Sequence, residues 1–318
     1  MSYIKTADEF LSSDEKTTVR YSVYTPDIPP FAVLQICPGA FEDISEYEKN
    51  GFIDALTSEG ITVCGNDPVG YGENDLDESR FPSSRGVLVN DLHTLCGIMK
   101  KTYRSLPYVL FGNGIGGCAV LSYAVLYNDV DGAAVCGAPC DPGVFGAAKA
   151  VSGLIFSLRG GQYRSKLLRK LVLSKMNEKF HTENDELSFL TSDIAARSDF
   201  RSDTVPAAAY YREVFGAVSD IADETWAGKV PLSLPVFLAS GTLDPVTCFG
   251  EGTKDVFTRL EDAELNELRI KLYDGCRHEL LREPKSADLI ADVTEWIKEV
   301  ADGVVACRSY GAFGFGAL

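Results

Sequence analysis

Three short segments carry the residue types that acid–base or nucleophilic chemistry needs. The apolar run Pro235–Ser240 leads into Gly241-Thr-Leu-Asp244-Pro245, and Arg269–Tyr273 leads into Asp-Gly-Cys-Arg-His278. A carboxylate beside an imidazole fixes the ring's tautomer and stabilises the imidazolium formed when the ring takes a proton. An acid just past one parallel strand and a His just past the next would lie side by side at the sheet's carboxyl edge, where sites form. The third segment, Tyr108-Val-Leu-Phe-Gly112-Asn113-Gly114-Ile115-Gly116-Gly117, runs from a strand through a glycine-rich turn into a helix. This glycine-rich turn offers no hydroxyl or thiol for covalent catalysis. Ser122 and Cys118 lie inside the following helix, and Cys37, Cys248 and Cys276 lie near strand ends without occupying a turn of this type. A water activated by His278 could act in place of a side chain, slowly.

The surrounding pattern supplies the scaffold for such an edge. Strands are expected at Phe31–Cys37, Ile61–Gly65, Tyr108–Phe111, Gly132–Cys136, Val236–Ser240 and Arg269–Tyr273. Helices are expected at Tyr47–Ser58, Gly86–Tyr103, Ile115–Leu126, Gly252–Arg259 and Ser286–Val300, with an antiparallel hairpin before Tyr24. Strands alternating with helices imply right-handed crossovers and a doubly wound, mostly parallel α/β sheet covered on both faces. The rhythm fails between Pro142 and Pro235, where helical pieces follow one another without strands. We therefore expect a core of residues 1–141 and 235–318 with a helical cap at 142–234.

Composition excludes several classes. The 318 residues carry a net charge of −16, which repels phosphate backbones and argues against nucleic acid as a partner. No apolar run approaches the ~18 residues of a membrane span. Met1–Phe10 has no apolar signal region, so a cytoplasmic protein is expected. The nine cysteines show no zinc spacing, and neither a metal nor a cofactor is expected. One stretch reverses the overall charge: Val151–Phe180 contains seven Lys/Arg and a single acid. Within it, Arg164–Met176 sets Leu167, Leu168, Leu171 and Val172 on one side of a helix. This basic cap helix either packs on the core with a solvated face or touches an anionic membrane peripherally.

The chain resembles the monoacylglycerol lipase and lysophospholipase branch of the α/β-hydrolases, of serine aminopeptidase S33 type, over nearly its whole length. The resemblance is carried by Ile61–Gly72 (ITVCGNDPVGYG), Tyr108–Gly117 (YVLFGNGIGG) and Pro235–His278. It implies an α/β-hydrolase fold, carboxylic esters of lipids as the inherited substrate class, and catalytic roles for Asp244 and His278. It also implies oxyanion amides at Ala40 and Ile115. The family's Gly-x-Ser-x-Gly turn is Gly112-Asn113-Gly114-Ile115-Gly116 here, so Gly114 stands at the position of the missing nucleophile. Histidines of the family are also replaced, at Pro38, Pro68, Tyr71 and Asn113. Two functions follow as expectations: a hydrolase with little or no serine-type activity, or a binding or sensing protein for a lipid-like ligand. A remoter alternative is dinucleotide binding at Gly112–Gly117, whose spacing also satisfies G-x-G-x-x-G with Asp141 downstream.

Overall fold

The computed structural model describes residues 3–39, 42–68, 86–139, 146–198, 208–221, 223 and 225–313. Eight strands form one sheet: β1 (Tyr3–Leu11), β2 (Thr18–Pro26), β3 (Ala32–Cys37), β4 (Ile61–Asn66), β5 (Tyr108–Asn113), β6 (Gly132–Cys136), β7 (Val236–Gly241) and β8 (Leu268–Tyr273). Their order across the sheet is β1-β2-β4-β3-β5-β6-β7-β8. β1 and β2 form the expected antiparallel hairpin, β2 runs antiparallel to β4, and every later pairing is parallel.

Strand composition explains why the sheet is covered on both sides. Within β3, Val33 and Cys37 pack into one apolar cluster while Leu34 and Ile36 pack into a second on the opposite face. Tyr108 and Leu110 of β5 divide from Val109 and Phe111 in the same way. Alternate residues point to opposite faces, so a strand buried on both sides must be apolar throughout. The first face is covered by α3 (Val87–Thr102), α4 (Ile115–Leu126) and α9 (Glu251–Asp262); the second by α1 (Ile44–Lys49), α2 (Phe52–Ser58) and α10 (Ser286–Phe313). Gln35, the polar exception inside β3, is satisfied by the Leu92 carbonyl and the Tyr108 hydroxyl.

The single helix expected at Tyr47–Ser58 is two. The chain turns at Asn50-Gly51, where Gly51 takes φ 82° and the Asn50 side chain accepts the Phe52 amide proton at 3.1 Å. Breaking there lets Tyr47 of α1 and Phe52, Ile53 and Leu56 of α2 bury in the same cluster.

Between β6 and β7 the described residues are helical: α5 (Gly146–Arg159), α6 (Lys166–Met176), α7 (Ile194–Arg197) and α8 (Ala208–Ile221). α5, α6 and α8 share a third cluster that includes Ala148, Leu168, Met176, Phe180, Phe189, Tyr211 and Phe215. The apolar side expected on α6 is divided: Leu168 is buried in this cluster, whereas Leu167 is 63% exposed. The reason is geometric, since adjacent residues stand 100° apart on a helix and a narrow seam holds only one of them. Trp226 is buried in the first-face cluster.

Backbone segments approach very closely where β5 enters α4. A Cβ on Gly116 would collide with the carbonyls of Cys37 and Pro38 after β3, and one on Gly112 with the backbone of Gly116 and Gly117. Gly116→Ala is expected to cost about 1–3 kcal/mol in urea denaturation through this overpacking. Gly97→Ala, on a helix position with open space around it, should be neutral or stabilising. Equal midpoints for the two variants would show that the strand–helix crossing has room to spare.

Candidate active site

The strand order reverses direction between β3 and β5, and the carboxyl ends of β3, β5, β6, β7 and β8 meet around that switch point. Each end contributes one part. β5 ends at Asn113, and Gly114 follows at φ 52°, ψ −118° as the residue that caps α4. This is a region that L side chains adopt only under strain, and glycine enters it freely. The Gly114 amide donates to the Cys136 carbonyl at the end of β6, which ties the turn to the neighbouring strand at 2.8 Å.

Asp244 follows β7 and is fully buried. One carboxylate oxygen accepts the Val246 amide proton at 2.8 Å, and the other faces Nδ1 of His278 at 3.1 Å. The loops that carry the two residues lock together through the Leu243 amide and the Cys276 carbonyl at 2.9 Å. On the far side of the ring, Nε2 points at the Gly114 turn, and a Cβ built on Gly114 would lie 3.3 Å from it. The structure thus brings Asp244, His278 and Gly114 together. Ile115 begins α4, so its amide is at the helix N-terminus beside Gly114. Ala40, Gly70–Gly72 and Asp141 lie outside the described residues, and no geometry is assigned to them.

Two buried carboxyl groups share the site, and neither was singled out from sequence. Asn113 donates through Nδ2 to Glu42 at 3.1 Å and to Glu279 at 2.8 Å. The same Glu42 oxygen accepts from the Gly39 amide and the Tyr47 hydroxyl, each at 2.7 Å. The second Glu279 oxygen is 3.9 Å from His278 Nε2. The signal that could have found them is position: Glu42 follows the turn after β3 by a few residues, and Glu279 is the next residue after His278.

The electrostatics follow from burial and these neighbours. Burial alone would lower the His278 pKa, but the Asp244 carboxylate, its hydrogen bond, and the nearby Glu279 and Glu42 outweigh it and raise the value to about 9. Burial and the adjacent Glu42 raise Glu279 to about 8, against the smaller opposing pull of His278 and Asn113. The cysteines of the site side are poor nucleophiles: burial pushes Cys37 up to about 12 and Cys276 up to about 11. Among the described residues no group of His, Cys, Asp and Glu could hold a metal ion.

A cap segment closes over the His278 loop. The His278 and Glu279 amides donate to the Phe189 and Leu190 carbonyls, and the Phe189 ring stacks on the imidazole with centroids 6.2 Å apart. Arg277 pairs with Glu183 at 2.6 Å and crosses the Phe180 ring at 4.1 Å, and Arg197 pairs with the same Glu183 at 2.7 Å. His181 is exposed beside this network and His93 is far from it, stacked on Tyr127 at 3.8 Å.

An eight-stranded, mostly parallel sheet with a turn–acid–histidine arrangement at its carboxyl edge is the α/β-hydrolase fold. Residues 28–285 match the serine aminopeptidase S33 family, and the chain belongs to that family. It is 24% identical over 282 residues to a monoacylglycerol lipase of Mycolicibacterium smegmatis, covering 87% of this chain and 91% of that one. A monoglyceride lipase of Mus musculus is 22% identical, with 86% and 84% covered. Among solved structures, a thermostable carboxyl esterase from Bacillus coagulans in complex with glycerol superposes with a TM-score of 0.85 at 23% identity, over 93% of this chain and 99% of that one. A soluble variant of the Saccharomyces cerevisiae monoglyceride lipase superposes at 0.76 with 15% identity, over 94% and 96%.

The shifted groups make a prediction about stability. His278 holds its proton up to about 9 in the folded chain against an ordinary 6.5, and Glu279 up to about 8 against 4.5. Both folded values are raised, so both contributions are present at low pH and lost as pH rises through the folded pKa. Unfolding free energy is therefore expected to fall by about 2–4 kcal/mol between pH 6.5 and pH 9.5. Urea denaturation across that range checks it, and the slope should flatten in His278→Gln. Constant stability over the range would contradict the charge states described.

Proposed function

We propose that this protein is a lipase- or esterase-type α/β-hydrolase that retains the Asp244–His278 pair and a binding site for a lipid-like carboxylic ester but has lost the nucleophile, leaving it inactive or weakly active as a serine hydrolase. The observation that carries this reading is Gly114 at the tip of a turn with positive φ, where an added Cβ would lie 3.3 Å from His278 Nε2, with no side chain to serve as a nucleophile. The monoacylglycerol and monoglyceride lipases among its relatives support acylglycerols or lysolipids as the ligand class. Binding or sensing such a ligand without turnover is the function that remains when chemistry is lost. Dinucleotide binding has less support, because Gly112 and Gly117 of that spacing are accounted for by close packing within the fold, against the Gly116–Gly117 backbone and against Val135 and Ala138. A cytoplasmic location fits the eight free thiols among the described residues.

Restoring the side chain tests the reading. Gly114→Ser must place a Cβ slightly inside normal contact with His278 and hold a serine at φ 52°, at a cost on the order of 1–3 kcal/mol. The variant is expected to hydrolyse p-nitrophenyl butyrate at least about tenfold faster than the parent, and Gly114→Ser with His278→Ala should abolish the gain. A folded Gly114→Ser protein with no gain would contradict a site still in catalytic register.

The cap surface supports a second property, peripheral contact with an anionic membrane. Leu154 and Leu158 on α5 and Leu167 and Leu171 on α6 are exposed, flanked by the exposed Arg159, Lys166 and Lys170. Arg169 does not belong to this surface, because it pairs with Glu186 at 2.8 Å through one guanidinium nitrogen. Lys166→Glu with Lys170→Glu should weaken cosedimentation with phosphatidylserine vesicles in a salt-dependent manner. Unchanged cosedimentation would remove the membrane reading.

A further inference from the structure

We propose that Glu279 is a positioning residue that acts through His278: its carboxyl group, held by Asn113 against Glu42 and facing Nε2, sets the pH at which the imidazole can accept a proton. The assignment deepens the reading of His278 as the proton carrier of this site and rests on it.

The geometry is specific. In a triad the ring uses one nitrogen to bind its acid and keeps the other for the nucleophile. Here both nitrogens of one ring face carboxyl groups, Asp244 at 3.1 Å from Nδ1 and Glu279 at 3.9 Å from Nε2. Nε2 makes no hydrogen bond among the described residues, although His278 is 7% exposed, so the electrostatic contact with Glu279 is its defined polar interaction. Glu279 cannot turn away, because its other oxygen is fixed by Asn113 at 2.8 Å. Asn113 in turn is fixed by Glu42, whose oxygen is anchored by the Gly39 amide and the Tyr47 hydroxyl. The chain of contacts therefore runs from the loop after β3, through the end of β5, to the ring.

The titratable groups that face this pair are Asp244 beyond β7, Glu42 beyond β3, Tyr47 of α1 and Cys136 of β6. Among the described residues no lysine or arginine pairs with Glu42, Glu279 or Asp244; the adjacent Arg277 is committed to Glu183 and to the Ser188 carbonyl. Among the described residues, three carboxyl groups thus face one imidazole without a cation paired to any of them. Proton affinity is shared among them, and a ring in that field gives up its proton only in alkaline solution. A site of this kind favours steps in which His278 donates a proton or holds a positive charge near neutrality. It accepts a proton as a base only above that range.

Only three histidines occur in the chain, at 93, 181 and 278, which makes the test direct. The Hε1–Cε1 signals of the wild-type protein are followed by NMR from pH 5 to pH 10.5, with His278→Gln identifying the resonance. His278 is expected to titrate near 9, and Glu279→Gln to lower its midpoint by a pH unit or more, with Glu279→Asp restoring part of the shift. A wild-type midpoint near 6.5, or a Glu279→Gln midpoint that does not move, would overturn the assignment. The wild-type titration needs no variant of Glu279 and stands even where Glu279→Gln fails to fold. In the Gly114→Ser background the ascending limb of the pH–rate profile for ester hydrolysis, which reports loss of the His278 proton, should move down in pH with Glu279→Gln. No activity in Gly114→Ser itself would count against the proposed function, whereas an active Gly114→Ser, Glu279→Gln variant with an unmoved limb would count against Glu279.

Discussion

The site depends on one steric constraint: β5 and α4 meet so closely to the chain after β3 that their shared turn has no room for ordinary backbone. Cβ atoms on Gly112 or Gly116 would enter neighbouring backbone, and Gly114 between them is forced to φ 52°. This crossing places the start of α4 opposite the His278 ring. It also brings Asn113 within reach of two carboxyl groups from loops 71 and 166 residues away in sequence. A serine at residue 114 would hold that conformation under strain, whereas glycine holds it freely.

The remaining polar groups are organised as a connected network. Buried carboxyl groups are costly unless each finds donors. Asp244 is met by an amide and an imidazole, Glu42 by an amide, a hydroxyl and a carboxamide, and Glu279 by the carboxamide together with the charge of the ring. The cap adds the last contacts, through the Phe189 and Leu190 carbonyls and the Arg277–Glu183 pair. The histidine loop is thus clamped between sheet and cap, which keeps the Asp244–His278 geometry even without a nucleophile to bridge to.

Much of this was legible in sequence because the signals are local. Strands such as Val236–Ala239 are apolar at every position, as burial on both faces requires, and Asp244 and His278 each follow a recognisable strand by a few residues. The strained glycine was legible from the residues on either side of it. Other features were not. The break at Asn50-Gly51 depends on Tyr47 and Phe52 reaching one cluster, a tertiary demand that helical spacing does not express. The division of α6 between buried Leu168 and exposed Leu167 depends on the width of the cap seam. Glu42 and Glu279 fit no motif considered at the outset. Their importance arises from a meeting through Asn113 that only the folded chain creates.

If the Asp244–His278 edge is intact and residue 114 is the only place a nucleophile would stand, as we propose, no acyl- or phosphonyl-enzyme can form at it. Intact-protein mass spectrometry after incubation with an alkyl fluorophosphonate measures this directly. The wild-type chain is expected to keep its unmodified mass, while Gly114→Ser gains one phosphonyl group at residue 114. A stoichiometric adduct on the wild-type chain, mapped to any residue of the site, would contradict the account.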